Sequence, residues 1–337
     1  MEYRYLGRTG VRVSPLTLGC GNYGDMTSEE TAQGLMQAAI DHGVNLLDTG
    51  DSYVGGESER IIGRFLKATG QRDRVLIATK VFYPTGDGPN DQGLSRYHIL
   101  RSCDESLRRL QTDRIDLYMC HRSASLITPI EETLAAMNDL VRQGKVCYIG
   151  CTTYPAWQVM EALMVSQRFG YARFVVESPP YNLLDRRAEN ERIPLCQKYG
   201  LGVMPWSPLA MGMLAGRYPA DGSFPSGSRA AKNPTGIYAQ RVNRKGAQIG
   251  GRLAELALTY GLTAGQLALL WVKDQPGVTS PIVGPRTPEQ LQEMLKVVDL
   301  RADDELRAAC DALNPPGTAV ANFHNTSGWL KTRIEDE

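Results

Sequence analysis

The sequence predicts one (β/α)8 barrel of the α/β class, a TIM barrel with an N-terminal β-hairpin and long loops on its binding face. Three observations carry that prediction. Eight short apolar runs recur along the chain, at residues 16–21, 45–49, 75–80, 115–120, 146–152, 174–178, 202–207 and 280–284. Helical stretches lie between them, the alternation that βαβ units produce. The runs are continuously apolar, as suits parallel strands buried on both faces. Eight such units close into a barrel, and 337 residues fall within the range such a domain reaches. No linker composition interrupts residues 1–337, which are read as one domain.

Taken in chain order, residues 5–13 place Gly7-Arg8-Thr9-Gly10 between two short strand-like arms, a hairpin that plugs the barrel floor. After the third strand, Ser95 caps a helix whose Ile99, Leu100, Cys103, Leu107 and Leu110 form one apolar stripe. Thr128-Pro129-Ile130-Glu131 predicts the next helix start, with a cap, a proline at the first helical position and a capping-box glutamate. Two connections are too long to be simple joints: 81–94, with Gly86, Gly88, Pro89 and Gly93, and 216–245. The second holds Arg217, Arg229, Lys232, Arg241, Arg244 and Lys245 against one acid, Asp221. That concentration suggests an anion clamp, the plainer alternative being a solvated loop.

Composition narrows the function classes. With 42% hydrophobic and 22% charged residues the chain can bury a substantial core and is not disordered. Thirty-seven basic and thirty-seven acidic residues cancel, so no global field gathers nucleic acid or an anionic membrane, and any anion site has to be local. No stretch approaches the roughly 18 apolar residues that span a bilayer, and the opening MEYRYLGRTG lacks a basic and apolar leader. Seven cysteines without a CxxC pair, mostly in apolar runs, fit thiols of a reducing compartment. The expectation is a cytoplasmic protein acting on a small molecule.

The C-terminal ends of barrel strands share one rim, so polar residues there converge from distant parts of the chain. Asp48 ends the second strand, Tyr53 follows it, Lys80 ends the third and His121 the fourth. A lone lysine or histidine at a strand end is more often structural, but four such groups on consecutive strands point to a site. A phenol with a pKa near 10 is a poor acid or base at neutral pH unless a neighbouring cation favours its phenolate. Lys80 is the candidate cation and Asp48 its anchor. His121 would orient and polarise a carbonyl oxygen that Tyr53 protonates. The set holds no nucleophile–base pair, and four histidines without metal-ligand spacing argue against a metal. The hydride for such a reduction comes from a cofactor.

The segments DTGDSYVGGESERIIG (48–63), ATK (78–80) and DLYMCHR (116–122) resemble the active-site segments of the aldo-keto reductases. The likeness continues in order through YRYLGRTGVRVSPLTLGCG, TPIEETL, RQGKVCYIG, PYNLLDR, PWSPLAMGMLAGRY and VGPRTPEQL, nearly the whole chain. The resemblance implies a tetrad of Asp48, Tyr53, Lys80 and His121, with Tyr53 as general acid/base. It implies an NADP(H)-dependent reduction of an aldehyde or ketone, sugar-like carbonyls included, to an alcohol.

Trp206, at the end of the seventh strand, offers a flat face for the nicotinamide, with core packing as the plain alternative. By the resemblance Ser207, Leu209 and Gly212 take the pyrophosphate, and Gly21, Asn22, Arg217, Arg229, Gly284 and Gln290 join the cofactor site. Thr287 caps a helix with Pro288 at its first position, and a helix N-terminus beside an arginine is a ready anion site. Arg286 is therefore assigned to the adenosine 2′-phosphate, which favours NADPH over NADH, with Glu293 on the adenine side. The family's usual carboxamide-binding Ser-Asn pair and Gln are Thr152, Thr153 and Ser178 here. Met294 stands for an Asn, and Val54 for the Gly after the catalytic tyrosine. The substrate is expected against Tyr23, Phe82, Tyr83 and Tyr154, with the 86–93 loop and the tail around Asn322, Phe323 and Trp329.

Two rival readings remain on the sequence. Gly19-Cys20-Gly21-Asn22-Tyr23-Gly24 satisfies GxGxxG after a strand, but a Rossmann fold would leave Lys80, His121 and the Arg286 helix start without a role. Some barrels similar to these reductases serve as NADP(H)-binding regulatory subunits of a protein partner with little turnover, and fold alone does not fix function.

Overall fold

Strands β1 (Arg4–Tyr5) and β2 (Arg12–Val13) pair antiparallel and form the expected N-terminal hairpin. Leu6 and Val13 project from it into a cluster with Leu46, Ala78, Leu117, Met119, Val176 and Met204. The hairpin thus closes the floor of the barrel with apolar side chains. The computed structural model describes residues 1–124 and 127–327; Trp329 lies outside them.

The barrel strands are β3 (Thr17–Gly19), β4 (Leu46–Asp48), β5 (Leu76–Val81), β6 (Ile115–Cys120), β7 (Val146–Thr152), β8 (Phe174–Ser178), β9 (Gly202–Val203) and β10 (Ile282–Val283). They run parallel in the order β10-β3-β4-β5-β6-β7-β8-β9. Between β9 and β10 the Thr279 amide donates to Val203 O at 2.8 Å and the Ile282 amide to Pro205 O at 2.8 Å, which brings the two ends of the sheet together. All eight expected strands exist. β6, β7 and β8 coincide with the expected runs and β5 is shifted by one residue, whereas β3, β4, β9 and β10 are shorter, because chain leaving the ladder stays buried as loop.

Helices α1 (Glu29–Asp41), α2 (Glu57–Thr69), α3 (Arg96–Leu110), α4 (Ile130–Arg142), α5 (Ala156–Phe169) and α6 (Arg192–Tyr199) fall between successive strands from β3 to β9. The long segment between β9 and β10 holds α7 (Arg229–Lys232), α8 (Arg244–Thr259) and α9 (Ala264–Lys273); α10 (Pro288–Leu295) and α11 (Asp304–Asp311) follow β10. A second, larger apolar cluster lies between strands and helices. Ser95 caps α3 as expected, its hydroxyl accepting from the His98 amide. The fourth helix departs from expectation: Pro129 is itself the N-cap, at ψ 141°, and α4 begins at Ile130 without a side-chain cap. No capping box forms there, since extended backbone at Pro129 shifts the helix start by one residue. Among the described residues no single helix is long and apolar enough to cross a membrane.

Candidate active site

The local backbone brings Tyr53 beside the strand ends. The Thr49 amide donates to Ala78 O (2.8 Å) and the Asp51 amide to Lys80 O (3.1 Å), which extends the β4–β5 pairing past Asp48, and the Tyr53 amide donates to Gly50 O (3.1 Å) as the chain turns. A Cβ at Gly21 would meet the Tyr53 ring at 3.3 Å, so glycine there lets the phenol lie close against the β3 end. Val54 follows at φ 51°, ψ 44°, left-handed backbone that costs a β-branched residue.

At the centre Lys80 Nζ donates to both Asp48 oxygens at 2.7 Å and to Thr49 O at 2.5 Å. Both side chains are buried. Burial pulls the ammonium down, but Asp48 and Tyr53 more than offset it, so Lys80 stays charged. Its Nζ lies 5.0 Å from the Tyr53 ring centroid, and Tyr53 Oη lies 3.4 Å from His121 Nε2. Burial dominates the phenol and raises it above the ordinary tyrosine value, with Lys80 pulling the other way. The expected favouring of phenolate is therefore outweighed: Tyr53 is a proton carrier, suited to act as an acid. Burial, helped by Arg122 and Lys80, holds His121 well below the ordinary histidine value, so its imidazole is neutral.

These four side chains open into a groove of about 970 Å³. Of the other expected site residues, Gly21, Asn22, Tyr83, Thr152, Ser178 and Trp206 line it near the centre. Ser207, Leu209, Gly212, Arg217 and Arg229 line it along the loop after β9, and Gly284, Arg286 and Gln290 after β10. Tyr23, Tyr154, Phe82, Thr153 and Glu293 are not brought to its wall, nor are the 86–93 loop and the tail residues Asn322 and Phe323. Tyr23 and Tyr154 are buried in the core, Tyr154 edge-on to Phe174, because both rings turn inward behind the strands. Phe82 stands behind Tyr83, edge-on to it. Thr153 lies behind Trp206, whose Nε1 donates to its hydroxyl at 3.1 Å. Glu293 borders an adjoining cavity of about 220 Å³ and is held by Gln266 and Lys296.

The basic loop divides. Arg217, Arg229 and Arg241 line the groove, whereas Lys232 pairs with Asp25 at 2.5 Å and Arg244 and Lys245 belong to the exposed start of α8. Sequence reasoning overlooked Arg122, Tyr238 and Thr326 as lining residues, and Arg241 as more than a loop charge. Arg122 was within reach, since it directly follows His121; Thr326 sits in a tail that carries no pattern.

The aldo/keto reductase family profile matches residues 15–315. The chain belongs to the aldo/keto reductase family. Among its relatives, the uncharacterized oxidoreductase YrpG of Bacillus subtilis (strain 168) is 40% identical over 327 residues, 94% of this chain and 97% of the relative. A probable voltage-gated potassium channel subunit beta of Oryza sativa subsp. japonica is 39% identical over 305 residues, 89% of this chain and 92% of the relative. One of the same name from Arabidopsis thaliana is 38% identical over 305 residues with the same coverage. As an aldo/keto reductase the protein is an oxidoreductase. The hydroxyls expected at the carboxamide are engaged within the protein: Ser178 Oγ donates to Met204 O at 2.5 Å and Thr152 Oγ1 to His121 O at 3.2 Å.

Proposed function

We propose that this aldo/keto reductase uses NADP(H) to reduce an aldehyde or ketone to an alcohol, with Tyr53 as the acid. The observation that carries the proposal is a neutral Tyr53 Oη, 3.4 Å from a neutral imidazole, beside a buried Lys80–Asp48 ion pair at the floor of a deep groove.

The groove suits the cofactor. Its volume, about 970 Å³, is at the upper end of small-molecule sites. Trp206 offers an aromatic face, and left-handed backbone at Ser207, Ala210 and Met211 is the kind of strain that collects around ligands. The buried Asn22 Oδ1 lacks a partner among the described residues. Arg286 is held below the ordinary arginine value by burial and then by Arg217 and Arg229, and none of the three pairs with a carboxylate among the described residues. A dianion such as a 2′-phosphate would relieve that repulsion, which favours NADP(H).

When bound, the reduced nicotinamide supplies the hydride. The protein's own contribution is to receive the carbonyl oxygen between Tyr53 Oη and His121 Nε2. Neutral His121 can donate to that oxygen, and Tyr53 delivers its proton as negative charge builds there. Lys80, kept protonated by Asp48, stabilises the phenolate left behind. The buried floor excludes water from the proton transfer.

A second reading has support in the relatives named as channel β subunits and in the engaged hydroxyls of Ser178 and Thr152: an NADP(H)-binding regulatory subunit with little turnover. Oxidation of NADPH and NADH over a panel of aldehydes, ketones and keto-sugars separates the two. The reductase reading expects turnover with NADPH and a loss of roughly 100-fold or more in Tyr53→Phe, with cofactor binding retained. NADPH binding without turnover on any substrate would overturn it in favour of the regulatory role.

A further inference from the structure

Five guanidiniums elsewhere in the fold contrast with two in the groove. Arg4, Arg72, Arg109, Arg186 and Arg187 are buried or half-buried, and each binds a carboxylate: Asp274, Asp116, Glu59, Glu189 and Asp185, at 2.6–3.0 Å. Arg241 is 4% exposed and Arg122 is half-buried, yet among the described residues neither forms an ion pair. Both line the groove beside Tyr53 and Trp206.

Their hydrogen-bond and ring partners are polar or aromatic. Arg122 Nη1 donates to His121 O (2.7 Å), Thr152 Oγ1 (3.1 Å) and Thr153 Oγ1 (3.3 Å), and Nη2 to Thr326 Oγ1 (3.1 Å). Its buried Nε has no partner among the described residues. Arg241 Nε donates to Asn325 Oδ1 at 2.9 Å, and its guanidinium lies 4.9 Å from the Trp206 ring centroid and 5.4 Å from that of Tyr238. Arg122 reaches Trp206 too, at 5.9 Å, and Tyr83 at 5.6 Å. Two acids lie near, and neither forms an ion pair with Arg122 or Arg241 among the described residues. Asp48 binds Lys80, and burial pushes Glu177 up to about 7, with Arg192 and then Arg122 pulling the other way. Packing alone would be served as well by apolar side chains, since burying two like charges without an anion is costly.

We propose that the substrate carries an anionic group, a carboxylate or a phosphate ester, which Arg122 and Arg241 bind on the Tyr53 side of Trp206. The inference rests on the carbonyl-reductase reading above. Arg122 adjoins His121 in sequence and in its hydrogen bond, so anion binding and carbonyl orientation share one support. The two residues act as specificity determinants.

The experiment compares matched pairs with NADPH: 4-carboxybenzaldehyde against methyl 4-formylbenzoate, and glycolaldehyde phosphate against glycolaldehyde. The wild-type protein is expected to prefer the charged member of at least one pair by roughly 10-fold or more in kcat/KM, and the better pair identifies the anion. Arg241→Gln and, separately, Arg122→Gln should cut that preference by roughly 10- to 100-fold, mainly through KM, and Arg241→Lys should restore part of it. Equal kcat/KM within both pairs overturns the proposal. So does an Arg241→Gln protein whose NADPH affinity falls as far as its preference, since Arg241 would then serve the cofactor. If no aldehyde turns over, calorimetry of 4-(hydroxymethyl)benzoate binding to the NADPH-saturated protein decides. Binding that Arg241→Gln abolishes keeps the anion site while the reductase reading falls, and no binding overturns both.

Discussion

At the floor of the groove the buried Lys80 ammonium is matched by Asp48, two oxygens at 2.7 Å, whereas at the outer end Arg217, Arg229 and Arg286 gather without a carboxylate among the described residues. The first arrangement stands on β4 and β5; the second stands on the start of α7 and on loops, one of them leading into α10. On the proposed function the difference separates two tasks. A group that must hold its charge through a reaction is compensated internally and set on rigid strands. A group that must capture an incoming anion is left uncompensated, and the fold carries the repulsion until the ligand arrives.

The largest test breaks the internal compensation. Lys80→Met leaves Asp48 buried and unpaired, which should cost roughly 3–5 kcal/mol in urea unfolding and lower kcat about 100-fold or more. Adding Asp48→Asn should recover most of the stability and none of the activity. If the double variant is as unstable as the single one, the pair is not what the strands were supporting.

An intermediate case is Asp51, 1% exposed, which accepts from Ser102 Oγ at 2.8 Å and forms no ion pair among the described residues. Burial is the main cause that raises it from 3.8 to about 7, with Glu59 adding and Ser102 and Arg109 opposing. The sign follows from a folded value above the unfolded one. The stability Asp51 contributes is fully present below pH 3.8 and is lost as the pH rises through about 7. Asp51→Asn should remove that loss, up to roughly 4 kcal/mol of pH-dependent stability, so its unfolding midpoint should fall less than the wild type's between pH 4 and pH 8. Parallel pH curves would contradict the assignment.

How far the sequence reaches can be judged at these same places. The tetrad was legible because each member sits at or just beyond a strand end, and parallel strands of one barrel send their ends to one rim. The Ser95 and Thr287 caps were legible because capping is local chemistry within a few residues. The inward turn of Tyr23 and Tyr154 was not, since loop residues follow no period that assigns a side. The convergence of Arg122 with Arg241 was hidden too: 119 positions apart in the chain, they meet at Trp206 and at the tail residues Asn325 and Thr326. Thr128 read as a cap, but proline's own extended backbone at 129 took that position.

At the uncompensated end, Arg286→Ala should weaken NADPH binding roughly 10- to 100-fold and NADH binding little. The NADPH affinity of the wild type should fall with added salt more steeply than that of the variant. Equal losses for the two cofactors would move the 2′-phosphate away from Arg286.

The smallest effect sharpens the comparison most, because it asks whether the helix under Arg286 matters beyond stability. Thr287 caps α10, accepting from the Gln290 amide at 3.3 Å, while Gln290 Oε1 accepts from the Arg286 amide at 2.9 Å. Ser95 caps α3 in the same way, but Ser95 is absent from the groove wall. Thr287→Ala and Ser95→Ala should each cost about 1 kcal/mol of stability. Only Thr287→Ala should also weaken NADPH, by about two- to five-fold, because loosening the cap loosens the backbone that aims Arg286. If both variants leave NADPH affinity unchanged, the arginines capture the phosphate by charge alone and the helix start is only their scaffold.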